Sequence, residues 1–151
     1  MLLQPATLTA PPRAHPGLSR LAKRLRWWPF ALAAAGSVLA SALAPQGRKP
    51  FQFDLDVGLA ALQFSLAKDP HIGAAALLAA LAVAATGRAR WGLAWALTVA
   101  VGGGWELGQS TVIGHTARLA DLAPDALGAA FGCLWGVCML CLLKAGCDAL
   151  D

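Results

Sequence analysis

Charge along this chain is confined to short clusters separated by long uncharged runs. The runs are Trp27 to Gly47, Pro70 to Gly87, Trp91 to Trp105 and Ala126 to Leu143. Their apolar residues are not arranged on one face with amphipathic periodicity; they fill the runs, which is the pattern of helices that cross a bilayer. The expected fold is therefore all-α, a polytopic membrane helix bundle with about four transmembrane helices near 27–45, 70–87, 91–109 and 125–143. Between the first two runs, Arg48, Lys49, Asp54 and Asp56 need water. Val57 to Ala67 is apolar but too short to cross, so an interfacial or re-entrant segment is expected there. The third run has fifteen uncharged residues before Glu106. Its helix must carry that carboxylate inside the protein or end near it, and Gly102-Gly103-Gly104 could break it.

Composition strengthens the membrane reading. The 151 residues are 58% hydrophobic and 13% charged, against about 25% charged in an average soluble domain. Gly and Ala are abundant and suit close helix packing in lipid. Residues 1–26 form a basic tail ending in Arg20, Lys23, Arg24 and Arg26. Its first part, through Pro16, is expected to be disordered, and its second part could lie as a short helix on the membrane surface. The transmembrane domain is placed at 27–145, with a short C-terminal tail at 146–151. Trp27 and Trp28 stand where an aromatic belt belongs. A signal peptide is the rival reading of the first run, with Ala42-Leu43-Ala44 resembling a cleavage site. Pro45 directly after it favours an uncleaved span.

The net charge is +4, but five of the twelve basic residues lie in the first 26 positions, beside a hydrophobic run and with little aromatic interleaving. That is a topology signal, and nucleic-acid binding is excluded. With both termini cytoplasmic, the inside holds those five plus Arg88, Arg90 and Lys144, and the outside holds Arg48, Lys49, Lys68 and Arg118. The expected location is the bacterial cytoplasmic (inner) membrane, with the stretch from Glu106 to Asp125 and His71 on the outer side. Cys133, Cys138, Cys141 and Cys147 crowd into the last run without C-x-x-C or zinc spacing and read as small apolar residues.

The candidate site is the outer-face polar cluster of His71, Glu106, Gln109, His115, Arg118, Asp121 and Asp125. Ionisable residues close to hydrocarbon are costly and mark functional sites by default. Asp121, Asp125, Gly128 and Gly132 are spaced by four, three and four, which puts them on one helical stripe. Gly128 and Gly132 would let another helix approach closely. Pro124 suits a first turn, so a helix starting near Leu122 or Ala123 makes Asp121 an N-cap and puts Asp125 near the positive end of the helix dipole. Glu106 and Gln109 share a face, where they could clamp two helices by hydrogen bonds. Glu106 could also pair with His71, His115 or Arg118.

The segments E-L-G-Q, G-H at 114–115 and D-L-A-P-D-A-L-G-A-A-F-G resemble the VanZ-like family pattern. That pattern runs Glu-x-x-Gln, then Gly-Arg, then Asp-x-x-x-Asn-x-x-Gly-x-x-x-Gly. Glu106, Gln109, Gly114, Asp121, Gly128 and Gly132 fall on matching positions with matching spacing. His115 stands in place of the family Arg and Asp125 in place of the Asn. An earlier Asp-Lys-x-x-His element is present as Ala67, Lys68 and His71. The resemblance is to a divergent member and covers roughly residues 30 to 145. It implies a small integral membrane protein of the cell envelope; the founding member is associated with low-level teicoplanin resistance.

Three functional classes follow. The first is an envelope-associated binding or accessory protein, not an enzyme. It would recognise an envelope lipid headgroup or a membrane protein partner besides the membrane lipid around it, with no cofactor and no metal. The second is a membrane-embedded acid/base or metal-assisted enzyme acting on an envelope lipid, using Asp121, Asp125 and Glu106 with His71 or His115. The third is a proton- or ion-coupled carrier, which a helix broken at the glycine triplet would favour.

Overall fold

The computed structural model describes residues 24–148. Most of the expected basic tail (1–23) and the end of the C-terminal tail (149–151) lie outside the described residues. Those described carry five α-helices: α1 (Trp28–Ser41), α2 (Leu59–Leu66), α3 (Asp69–Thr86), α4 (Trp91–Gln109) and α5 (Leu122–Asp148). Two short strands, β1 (Phe53–Asp54) and β2 (Ala117–Arg118), pair in parallel with Phe53 opposite Ala117 and Asp54 opposite Arg118. The protein is all-α in its body.

Small residues set the packing. The core is built from Phe30, Leu78, Ala79, Ala82, Val83, Ala94, Ala129 and Cys133. The most extensive helix pair is α3 with α5. A methyl group on Gly128 would overlap the Ile72 carbonyl, and one on Gly132 would overlap the Ala76 carbonyl. One on Gly136 would sit 3.0 Å from Val83 Cβ. Three glycines at intervals of four thus bring the two backbones together, in the manner of small-residue interfaces in lipid.

α1 docks on α4 in the same way. A Cβ at Gly104 would lie 3.3 Å from Val38, and one at Gly108 would run into the Ser41 hydroxyl. The glycine triplet therefore does not break its helix. α4 continues through it to Gln109, and none of the three glycines has a positive φ. Gly102 makes room for the Asp125 carboxylate and Gly104 for Val38. The left-handed φ of 86° at Gly87 is what turns the chain sharply from α3 into the 3-10 turn Arg88–Arg90.

Among the described residues, two helices are long and apolar enough to cross a membrane, α3 and α5 with its leading 3-10 turn. They are 33% and 28% buried inside the bundle. Four spans are not separately established by length and hydropathy. α4 has 19 residues, but its five glycines, Glu106 and Gln109 dilute its hydropathy. α1 has 14 residues, about 21 Å at 1.5 Å per residue, and is short of a hydrocarbon core of about 30 Å. It ends before the expected limit at 45 because Pro45 disfavours helix at Ala44, and because the Arg48 guanidinium donates to the Ala42 carbonyl at 2.8 Å. A belt of large apolar side chains, including Leu39, Leu77, Leu134, Trp135 and Leu142, each more than 60% exposed, surrounds the bundle.

The segment after α1 is a cap on one end of the bundle. Lys49 N–H donates to the Thr111 carbonyl at 2.8 Å and Gln52 N–H to the Ser110 carbonyl at 3.0 Å. The β1–β2 pair and the eight-residue α2 continue this layer. α3 and α5 begin at the capped end and α4 finishes there. The N-termini of two helices and the C-terminus of a third thus carry the polar residues to one place. All four cysteines are free; Cys133 is buried and Cys138, Cys141 and Cys147 are exposed.

Candidate functional site

The cluster is organised around three buried carboxylates, and each has a different partner. Asp121 closes the 3-10 turn Leu119–Asp121 ahead of α5. Its oxygens accept hydrogen bonds from Ser65 Oγ at 2.6 Å and Lys68 Nζ at 2.5 Å. The expected N-cap role thus gives way to tertiary contacts that tie α2 and the start of α3 to α5. The Lys68 ammonium remains partly open to solvent, with 29% of its side chain exposed against 2% for Asp121.

Asp125 lies in the first turn of α5, where the helix dipole favours its charge. Its Oδ1 is 3.2 Å from His71 Nδ1. Asp125 Oδ2 is buried with no hydrogen-bond partner and abuts Gly102. Contact with the carboxylate fixes which imidazole nitrogen faces away from it, Nε2. Gly102→Ala should push its methyl into Asp125 and break this pair; the check is a changed His71 imidazole chemical shift by NMR, with Gly103→Ala as a control that meets nothing within 4 Å.

Glu106, on the last turns of α4, is 1% exposed. Its Oε2 accepts the backbone N–H of Arg118 at 2.9 Å, while Oε1 has no partner. It therefore clamps α4 to β2 rather than to another helix, and its expected pairing with His71, His115 or the Arg118 side chain is replaced by this main-chain bond. Glu106→Ala should cost about 2 kcal/mol, because it leaves the Arg118 N–H without its acceptor. Amide exchange over residues 112–119 should then rise, while Glu106→Gln, which keeps a carbonyl acceptor, should stay near the parent.

The cationic groups lie outside these acids. The Arg118 guanidinium sits over the Phe64 ring at 4.8 Å from its centroid. Its Nε is 3.5 Å from Asp54 Oδ2 without forming a hydrogen bond. Lys68 Nζ also faces that ring, at 5.5 Å. His115 is exposed in the loop before β2, and its carbonyl accepts from Lys49 Nζ at 2.6 Å. Gln109 ends α4 beside them.

Two cavities meet at this end. The outer recess, about 480 Å³, is lined by Lys68, His71, Gln109, His115, Thr116 and Arg118 above Phe64, and no acidic residue is in its wall. The inner chamber, about 280 Å³, is lined mainly by apolar residues of α3 and α4 and by Ser37 of α1, with His71, Thr98, Gln109, Trp105 and Asp125 as its other polar residues. Pro70, His71 and Gln109 belong to both. Of the expected cluster, the structure brings His71, Gln109, His115 and Arg118 to the recess and places Glu106, Asp121 and Asp125 beneath it. Gly128 and Gly132 act below, in helix packing. Among the described residues, no three His, Cys, Asp or Glu side chains converge as a metal site.

Sequence reasoning did not single out Ser65, Phe64, Asp54 or Trp105. Lys68 entered only through the family element, although Lys68 and His71 stand three apart at a helix start and share one side of it. Ser65, Phe64 and Asp54 join the cluster across 50 or more residues, and Trp105 meets the His71 ring from another helix, so no local spacing announces these contacts. Compared with known proteins, the chain matches no family model, no curated protein and no solved structure.

Proposed function

We propose that this chain is a divergent VanZ-like protein of the bacterial inner membrane that binds the anionic headgroup of an envelope lipid in its outer recess. The observation that carries this reading is the recess wall, in which Lys68, His71, His115 and Arg118 present hydrogen-bond donors and no carboxylate. Buried acids behind Lys68 and His71 hold those side chains in position, so their ordering is settled before a ligand arrives. The two departures from the family pattern fit the same picture. Asp125, in place of Asn, gives His71 a carboxylate partner, and His115, in place of Arg, leaves an imidazole at the rim where the family has a bidentate guanidinium. The exposed belt of Leu and Trp side chains supports a bundle embedded in lipid, because a soluble monomer rarely shows so large an apolar surface. In this reading α1 and α4 cross alongside α3 and α5, with both termini inside and the capped end outside.

Binding is tested in nanodiscs by titrating lipids that differ only in headgroup. Phosphate-headed lipid should bind at least tenfold tighter than zwitterionic lipid, and Arg118→Gln should remove most of the difference. Equal binding of both lipids sinks the headgroup reading and leaves a protein partner as the occupant. Orientation is tested separately in a background without the four native cysteines. Thr116→Cys should react with an impermeant maleimide from outside, and Arg88→Cys only after the membrane is opened. The reverse pattern overturns the topology.

The Asp125–His71 pair supports a second reading, acid/base chemistry, because a carboxylate that orients an imidazole is how general bases are set. Turnover of a lipid phosphate monoester by purified protein, lost in His71→Asn, would favour it over simple binding.

A further inference from the structure

The outer recess does not end at its basic wall. Pro70, His71 and Gln109 line both it and the inner chamber between α1, α3 and α4, so this shared wall is the neck between the two spaces. Along α3 its wall runs from His71 to Leu78, seven residues, or about 10 Å at 1.5 Å per residue. The chamber therefore extends into the bundle, along the helices and away from the capped end.

Its wall is apolar in effect as well as in residue type. Two hydroxyls line it, and both are committed to their own helices: Ser37 Oγ donates to the Ala34 carbonyl at 2.9 Å and Thr98 Oγ to the Ala94 carbonyl at 3.0 Å. The rest is Ala74, Ala75, Leu78, Val101 and the glycine face of Gly102. The unspent polar atoms are Trp105 Nε1, one turn from Gln109, and Asp125 Oδ2, which faces Gly102 part-way down the chamber; both are buried without partners. A carboxylate there repels any second anion, so a negatively charged ligand has one place for its charge, the recess. Past Asp125, toward Thr98 and Leu78, the chamber offers only hydrocarbon contacts. Its volume of about 280 Å³ has room for about nine methylene-sized groups, at roughly the 30 Å³ of a water molecule.

We infer that the ligand is a phosphate-headed amphiphile whose hydrocarbon chain leaves the bilayer and enters the inner chamber, with His71 at the junction of head and chain. This rests on the headgroup reading above and adds the chain as a recognised part. Headgroup phosphate and free phosphate share the same chemistry at the recess, and the chamber distinguishes them.

The test uses the full chain in detergent with three probes: inorganic phosphate, decyl phosphate, and decyl phosphate carrying a diazirine at its chain end. Decyl maltoside in excess controls for non-specific partition. Decyl phosphate should bind at least tenfold tighter than inorganic phosphate. The photoproduct should map to the peptides holding Leu78, Thr98 and Val101. Ala74→Phe, on an exposed position of α3 that lines the chamber, should fill the space, return decyl phosphate to within threefold of inorganic phosphate and abolish that labelling. Equal affinity for the two phosphates, with labelling on outward-facing residues such as Leu77 and Leu107, overturns the inference and leaves the headgroup reading intact. Binding of neither phosphate overturns both.

Discussion

Gly132→Leu should unfold much of this bundle at temperatures where the parent is intact. Any side chain at Gly132 meets the Ala76 carbonyl, which is backbone of the facing helix and cannot swing aside. α3 and α5 would have to separate, and the contacts of Ala79, Val83, Ala129 and Cys133 would open with them. Overpacking a tight core costs about 1–3 kcal/mol, and this site belongs at the upper end because two helices must move instead of one rotamer. A loss of ~3 kcal/mol corresponds to a melting midpoint lower by roughly 10 °C for a domain of this size. The control is Gly146→Leu, on the same helix, where an added Cβ meets nothing within 4 Å. Its midpoint should stay within a degree or two of the parent in the same detergent. If Gly132→Leu also melts with the parent, the close α3–α5 contact does not exist in the folded protein.

That interface was legible in the sequence because its signal is local. Asp125, Gly128 and Gly132 share α5 and Asp121 directly precedes it, and 3.6-residue periodicity alone predicts them on one stripe. Local rules failed where a residue had a stronger partner far along the chain. Asp121 fits an N-cap by position, yet Ser65 and Lys68 take its oxygens across 56 and 53 residues. A hydroxyl and an ammonium gathered around a buried carboxylate outweigh one more backbone N–H. The glycine triplet carries the same lesson in reverse. Gly102-Gly103-Gly104 reads as a helix breaker, but a helix held on both sides tolerates glycines where neighbours need the space, here Asp125 and Val38. Phe64 and Trp105 were silent because an aromatic residue beside an apolar run carries no pattern that separates core from cavity wall.

The Lys68–Asp121 pair should show an asymmetry that identifies which partner the fold depends on. Removing either half breaks the same 2.5 Å contact, but the two remainders differ. Lys68→Met leaves a carboxylate whose side chain is 2% exposed, with only Ser65 to hydrogen-bond it. Asp121→Leu leaves an ammonium whose side chain is 29% exposed and able to reach water. Breaking a buried pair costs about 3–5 kcal/mol when the surviving charge stays buried. Lys68→Met should approach the lower end of that range, and Asp121→Leu should fall clearly below it. The double variant Lys68→Met/Asp121→Leu removes both charges and should recover much of the loss, so the two single effects will not add. Chemical unfolding of the four proteins in one detergent closes the cycle. Equal destabilisation by the two single variants, or strict additivity in the double, would show that Asp121 is hydrated in the folded protein. The same variants separate stability from recognition. The double variant should fold yet bind phosphate-headed lipid weakly, because Lys68 supplies a recess donor that methionine lacks.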